Sequence, residues 1–245
     1  MEANSEKSRS TVFDYLTLRL LVGIIAVLMP IIVSIVAAEH LTSISASYHT
    51  YARDIFVGML FIVGVFLFAY NGHSASQKWA SRLAAVAAIT AAIFPTSCEN
   101  DNCLPYFAFI DVYTASEIHN YAAIVLFIVL AYFCLGPFRQ KAREKGEKGK
   151  RRSIIYIFCG SIMIGCIVSA VLAIYTLQSD IVENLRILYW AEFVGLLVFG
   201  IAWFVAGRWY RLTLLVDENE DGYRPFDYNA EKADKTSGSS GPTSK

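Results

Sequence analysis

The stretch Ile187-Leu-Tyr-Trp-Ala-Glu192-Phe-Val-Gly-Leu-Leu-Val-Phe-Gly-Ile-Ala-Trp-Phe-Val-Ala-Gly-Arg-Trp209 decides the fold. One carboxyl, Glu192, interrupts a run that is otherwise free of charge until Arg208. Its length matches the roughly 20 residues a helix needs to cross about 30 Å of hydrocarbon. Five further runs of similar character lie upstream, at Leu16–Ala38, Ile55–Tyr70, Trp79–Phe94, Ile118–Phe138 and Ser153–Leu177. The second and third are the shortest. Backbone groups in lipid must be satisfied within the segment, so runs of this length imply helices, and none shows the alternation of a membrane β-strand. The expected fold is all-α, a six-helix transmembrane bundle over residues 16–210. A short cytoplasmic segment, 1–15, precedes it, and a largely disordered cytoplasmic tail, 211–245, follows.

Composition points the same way. The 245 residues are 56% hydrophobic and only 17% charged, with no net charge. Soluble domains carry about 25% charged residues. An ordinary soluble enzyme is excluded, and so is a nucleic-acid binder, because the one basic stretch lies between two apolar runs. That stretch, Arg139–Arg152, holds Arg139, Lys141, Arg143, Lys145, Lys148, Lys150, Arg151 and Arg152 against Glu144 and Glu147. The segment Pro95–Glu117 holds no base and four acids. By the positive-inside rule both termini are cytoplasmic. The expected location is a cell membrane, most simply a bacterial inner membrane. A competing reading takes Val36-Ala37-Ala38 as a signal-peptidase site; the length of the first run and Pro30 within it argue for retention.

Of five cysteines, Cys98 and Cys103 flank Glu99-Asn-Asp-Asn102 in the outward loop, where a disulfide is expected. Cys134, Cys159 and Cys166 lie inside spans and read as small apolar residues.

Ionisable groups at membrane depth are costly and need a reason. Topology places Glu39, His40, His49, Arg53 and Asp54 near the outer start of the second helix, His119 at that of the fourth, and Glu192 about a turn and a half into the sixth. Glu192 is either a bundle carboxyl paired with Arg53 or hydrogen-bonded internally, or a ligand or proton-transfer group. His49 and His119 are either half-wet interface residues or ligands. With Asp54 and Glu192 they form a donor set suited to zinc, and equally to acid–base chemistry.

Ser45-Ala-Ser-Tyr-His49-Thr-Tyr-Ala-Arg53-Asp54-Ile-Phe-Val-Gly58, with Gly64 to Gly72, Pro95-Thr96, His119 and Glu192, resembles a family of bacterial membrane proteins grouped only by a domain of unknown function. Ser45-x-x-x-His49 is also similar to the serine–histidine motif of the superfamily of alkaline ceramidases and adiponectin receptors. Those are seven-helix proteins implicated in lipid amide hydrolysis at zinc. The paired histidines of their last helix are absent here, and Glu192 stands in that region. That resemblance implies a metal-dependent hydrolase of a lipid amide or ester, with His49, His119 and Asp54 or Glu192 holding zinc and Ser45 or Ser47 orienting water. The reading preferred from the residues alone is an outward-facing polar site that binds a lipid or small ligand. A third is an accessory subunit with a membrane-protein partner, packing through small-residue helices.

Overall fold

The structure is a computed structural model and describes residues 15–70, 72, 74–97, 110–144 and 146–207. The Cys98–Cys103 pair, His73, the N-terminal segment and the tail lie outside the described residues. Among the described residues every regular element is helical: α1 (Tyr15–Val36), a 3-10 turn (Ser45–His49), α2 (Arg53–Ala69), α3 (Ala75–Ile93), α4 (Val112–Phe133), a π-helical turn (Cys134–Phe138), α5 (Arg139–Arg143), α6 (Gly146–Tyr175), α7 (Ser179–Leu185) and α8 (Ile187–Ala206).

Four helical stretches are long and apolar enough to cross a membrane, Leu18–Val36, Val112–Arg143, Gly149–Tyr175 and Ile187–Ala206. The helix α2 is 17 residues long, and α3 carries Gln77, Lys78, Ser81 and Arg82. The two pack on each other; α1 and α6 both pack on α8, and α3 packs on α4. Consecutive long helices run in opposite directions, so one end of the bundle carries the 3-10 turn and the other carries α5.

Local chemistry explains the boundaries that differ from expectation. The fourth helix begins at Val112 rather than Ile118, because Asp111 caps it: its carboxyl accepts the Thr114 N–H at 2.9 Å and the Thr114 hydroxyl at 2.7 Å. The Thr114 N–H holds that carboxyl below its usual range. The basic stretch contributes α5 (Arg139–Arg143) and the start of α6 at Gly146, helices where a loop is expected. Arg, Gln, Lys and Ala are strong helix formers, and α6 restarts at Gly146, whose φ is +66°.

Two packing motifs hold the core. On α3 the buried face is alanine (Ala84, Ala85, Ala87, Ala88, Ala91, Ala92), which lets α2 and α4 approach closely. Between α1 and α8 the approach is tighter still. A Cβ on Gly200 would lie 2.9 Å from the Gly23 carbonyl oxygen and 2.5 Å from Val27 Cγ2, and one on Gly23 would lie 3.1 Å from the Gly200 oxygen. At the α5 end Tyr70, Phe133, Phe138, Phe199 and Trp203 form one aromatic cluster, with ring centroids 5.4–6.4 Å apart in the pairs that include Trp203.

Candidate functional site

The segment joining α1 to α2 has little regular structure of its own, so its polar groups must find partners elsewhere. They find them on α8 and at the end of α3. Arg186 adopts a left-handed conformation (φ 49°, ψ 43°) between α7 and α8. Its guanidinium donates to the Leu41 carbonyl from Nε (2.9 Å) and Nη2 (2.6 Å) and stacks 3.9 Å from the centroid of Tyr189. One turn on, the Tyr189 N–H donates to the Thr42 carbonyl at 3.0 Å. Glu192 then takes two bonds from a single residue. Its Oε2 accepts the Ser45 N–H at 2.8 Å, and its Oε1 accepts the Ser45 hydroxyl at 2.9 Å. The free amide at the start of a 3-10 turn and the half-buried carboxyl of a hydrophobic helix thus satisfy each other.

The opposite side of the same segment is tied to α3. Tyr48 donates its hydroxyl to the Ile93 carbonyl at 3.2 Å, and His49 Nε2 donates to the Thr96 carbonyl at 2.9 Å. His119, 2% exposed, faces two carbonyls with Nδ1, those of Ala91 (2.9 Å) and Phe94 (2.8 Å). Carbonyls only accept, so Nδ1 carries the proton. In the neutral ring Nε2 is then an acceptor, and it is buried with no partner among the described residues, as is the Ser47 hydroxyl. Both histidines therefore grip the stretch 91–96 where α3 ends.

Ser45 and Glu192 come together, and His49 and His119 share one neighbourhood. Asp54 joins neither group: it sits in the first turn of α2 on the exposed face. Glu192 takes its bonds from Ser45, and the Arg53 guanidinium lies 4.9 Å from the centroid of Tyr48. Among the described residues no three His, Cys, Asp or Glu side chains converge closely enough to hold a metal ion. Each histidine directs one ring nitrogen at a carbonyl, and both Glu192 oxygens face Ser45. Ser45 and His49 stand on a 3-10 turn ahead of α2 rather than on the second helix itself.

A narrow slot opens beside Glu192, between α4, α6 and α8. Ala123 and Phe127, Ile167 and Ala170, and Leu188 and Ala191 form its walls, and Ser43, Thr96, Asn120 and Glu192 supply its polar groups. Its interior space of about 50 Å³ is several times the roughly 10–15 Å³ that one water needs. Cys166, a free and partly exposed thiol, lines it too.

No family model, curated protein or solved structure matches this chain. The site must therefore be read from its own chemistry. Sequence reasoning singles out Ser45, Ser47, His49, Asp54, His119 and Glu192 but gives Ser43, Thr96 and Asn120 no role in a site. Single polar residues at helix ends give no signal of their own until the fold brings them together.

Proposed function

We propose that this is a six-pass membrane protein whose slot beside Glu192 binds a lipid or other single-chain amphiphile. The observation that carries this reading is the slot's chemistry: apolar walls from three helices, with a carboxyl and three neutral hydrogen-bonding residues. Binding sites for small molecules are commonly apolar clefts with a few polar groups that fix orientation. The slot is narrow, which favours a polymethylene chain over a bulky ring system. The two ties on the 41–49 segment support a preformed site, since Ser45 and Glu192 are fixed before any ligand arrives.

The crossing of α2 and α3 is supported by their outer faces, where Val65, Phe68, Leu83 and Val86 are exposed apolar side chains. Basic residues concentrated on α5 and the start of α6 support a cytoplasmic placement of that end, with the slot facing outward. A phosphatase reporter active only outside the cytoplasm is expected to be active after Gln178 and silent after Glu144. The reverse pattern would overturn the orientation.

The binding reading is tested by mass spectrometry of lipids that co-purify in mild detergent. Wild type is expected to be enriched in one class of single-chain species relative to the bulk membrane. Ala170→Phe, which fills the slot without removing a polar group, is expected to lose that enrichment while remaining folded. A wild-type profile identical to the bulk membrane would sink the reading.

A further inference from the structure

The opposite end of the bundle holds a second polar site that the slot does not involve. Arg19 lies barely a turn into α1, is 7% exposed, and has no carboxylate partner among the described residues. Its Nη1 donates to the Ala206 carbonyl at 3.3 Å and its Nη2 to the Tyr70 hydroxyl, both uncharged acceptors. Its Nε–H is buried with no partner. The guanidinium stacks against Tyr70 (5.1 Å) and Phe138 (5.4 Å), which fixes its plane without supplying a negative charge. A buried cation at membrane depth without a counter-ion is expensive, and such residues mark functional sites.

Arg19 lines a cleft of about 480 Å³, together with Tyr70, Ser74, Ser76, Gln77 and Gln140. Lys141 and Glu144 stand on its α5 wall and offset each other in charge. The start of α3 forms another wall. Ser74 caps that helix by accepting the Gln77 N–H at 3.3 Å, and no acidic residue occupies its first turn, so its positive end is not neutralised from within. Gly72, between Tyr70 and α3, stands at φ +62°, where a Cβ would lie 2.6 Å from Gln77 Cβ. A side chain at this position would be strained and would push Gln77 aside.

We propose that this cleft binds a phosphate group, with Arg19 as its principal charge, Gln77 as a neutral donor, and the Ser74–Ser76 hydroxyl pair, 2.9 Å apart, turning one O–H toward the phosphate. Arginine presents its N–H groups as a fork that matches phosphate oxygens, and a helix start adds oriented amides. The phosphate is either free or the headgroup of a lipid, since both carry the oxygens the site recognises.

The test uses full-length protein in a phosphate-free detergent, with three probes: inorganic phosphate, a short-chain phosphatidylglycerol, and a short-chain diacylglycerol that lacks phosphate. Readouts are the unfolding midpoint and, for the first two, phosphorus NMR line width. Inorganic phosphate raising the midpoint identifies a free phosphate site; a rise with phosphatidylglycerol alone identifies a headgroup site. Arg19→Gln is expected to weaken the response roughly tenfold or more. Should that variant fail to fold, Ser76→Glu carries the test. Ser76 is exposed, an acid at a helix start favours the helix, and the added carboxylate repels phosphate. The proposal is overturned if neither phosphate probe shifts wild type, if diacylglycerol does so equally, or if folded variants respond as wild type does.

Discussion

Glu192→Leu lowers the stability of the detergent-solubilised protein by about 2–5 kcal/mol, whereas Glu192→Gln lowers it by less than about 1 kcal/mol. The difference follows from what Ser45 loses. In the native arrangement both of its donors point at the carboxyl, at 2.8 and 2.9 Å, and Ser45 is buried. Leucine removes both acceptors and leaves the amide and hydroxyl of a buried residue without their partner, each costing about 1–3 kcal/mol. Glutamine keeps an oxygen for the Ser45 N–H, and its amide nitrogen donates to the hydroxyl, which rotates to accept. Ser45→Ala falls between them, losing one bond and leaving the N–H in place. Denaturant titration followed by tryptophan fluorescence measures all three. A Glu192→Leu variant within about 1 kcal/mol of wild type would show that the pair is not what fixes this segment. The glutamine variant also separates stability from binding, because a folded protein without a carboxyl isolates what the acid itself does for a ligand in the slot.

Gly200→Leu is expected to separate α1 from α8 and to cost about 3 kcal/mol or more, enough to prevent folding of a marginally stable chain. Even one methyl at this position would meet the Gly23 carbonyl oxygen at 2.9 Å, and a backbone atom has no rotamer to retreat into. The helices would have to move apart and surrender the packing of Val22, Ala26 and Ala202, all at most 1% exposed. Gly58→Ala is the matching control. A Cβ there would meet nothing within 4 Å, and in a helix interior alanine is favoured over glycine by roughly 0.5–1 kcal/mol. Gly58→Ala is therefore expected to stabilise while Gly200→Leu unfolds. Equal effects from the two would mean that helix propensity, not helix–helix approach, governs these positions.

Hydropathy made the long helices legible, because the solvent around them leaves few alternatives for an apolar run. It located α1, α4, α6 and α8 to within a few residues, apart from the cap at Asp111 and the helical basic stretch. Glu192 was legible for the converse reason: a carboxyl in an apolar run is conspicuous. Its partner was not, since Ser45 lies 147 residues away and no local pattern encodes that pairing. The histidines attracted a metal-site reading because their residue types suit one. In the fold each also holds the end of α3 through a carbonyl, a contact that no sequence motif announces. Arg19 passed unnoticed in the sequence, although the argument that singles out Glu192 applies to it equally, an arginine among Leu18, Leu20, Leu21 and Val22.

The cross-ties from Leu41, Thr42 and Ser45 to α8 also impose an order in time. During synthesis the α1–α2 connection is made early, but the residues that complete it are the last to arrive. Ser45 waits 147 residues for Glu192. At about 5–20 residues per second, this segment spends roughly 7–30 s without its native acceptor. Any chain arrested before Arg186 leaves that connection open, and a quality-control system that reads exposed polar backbone at the membrane surface has this interval in which to act.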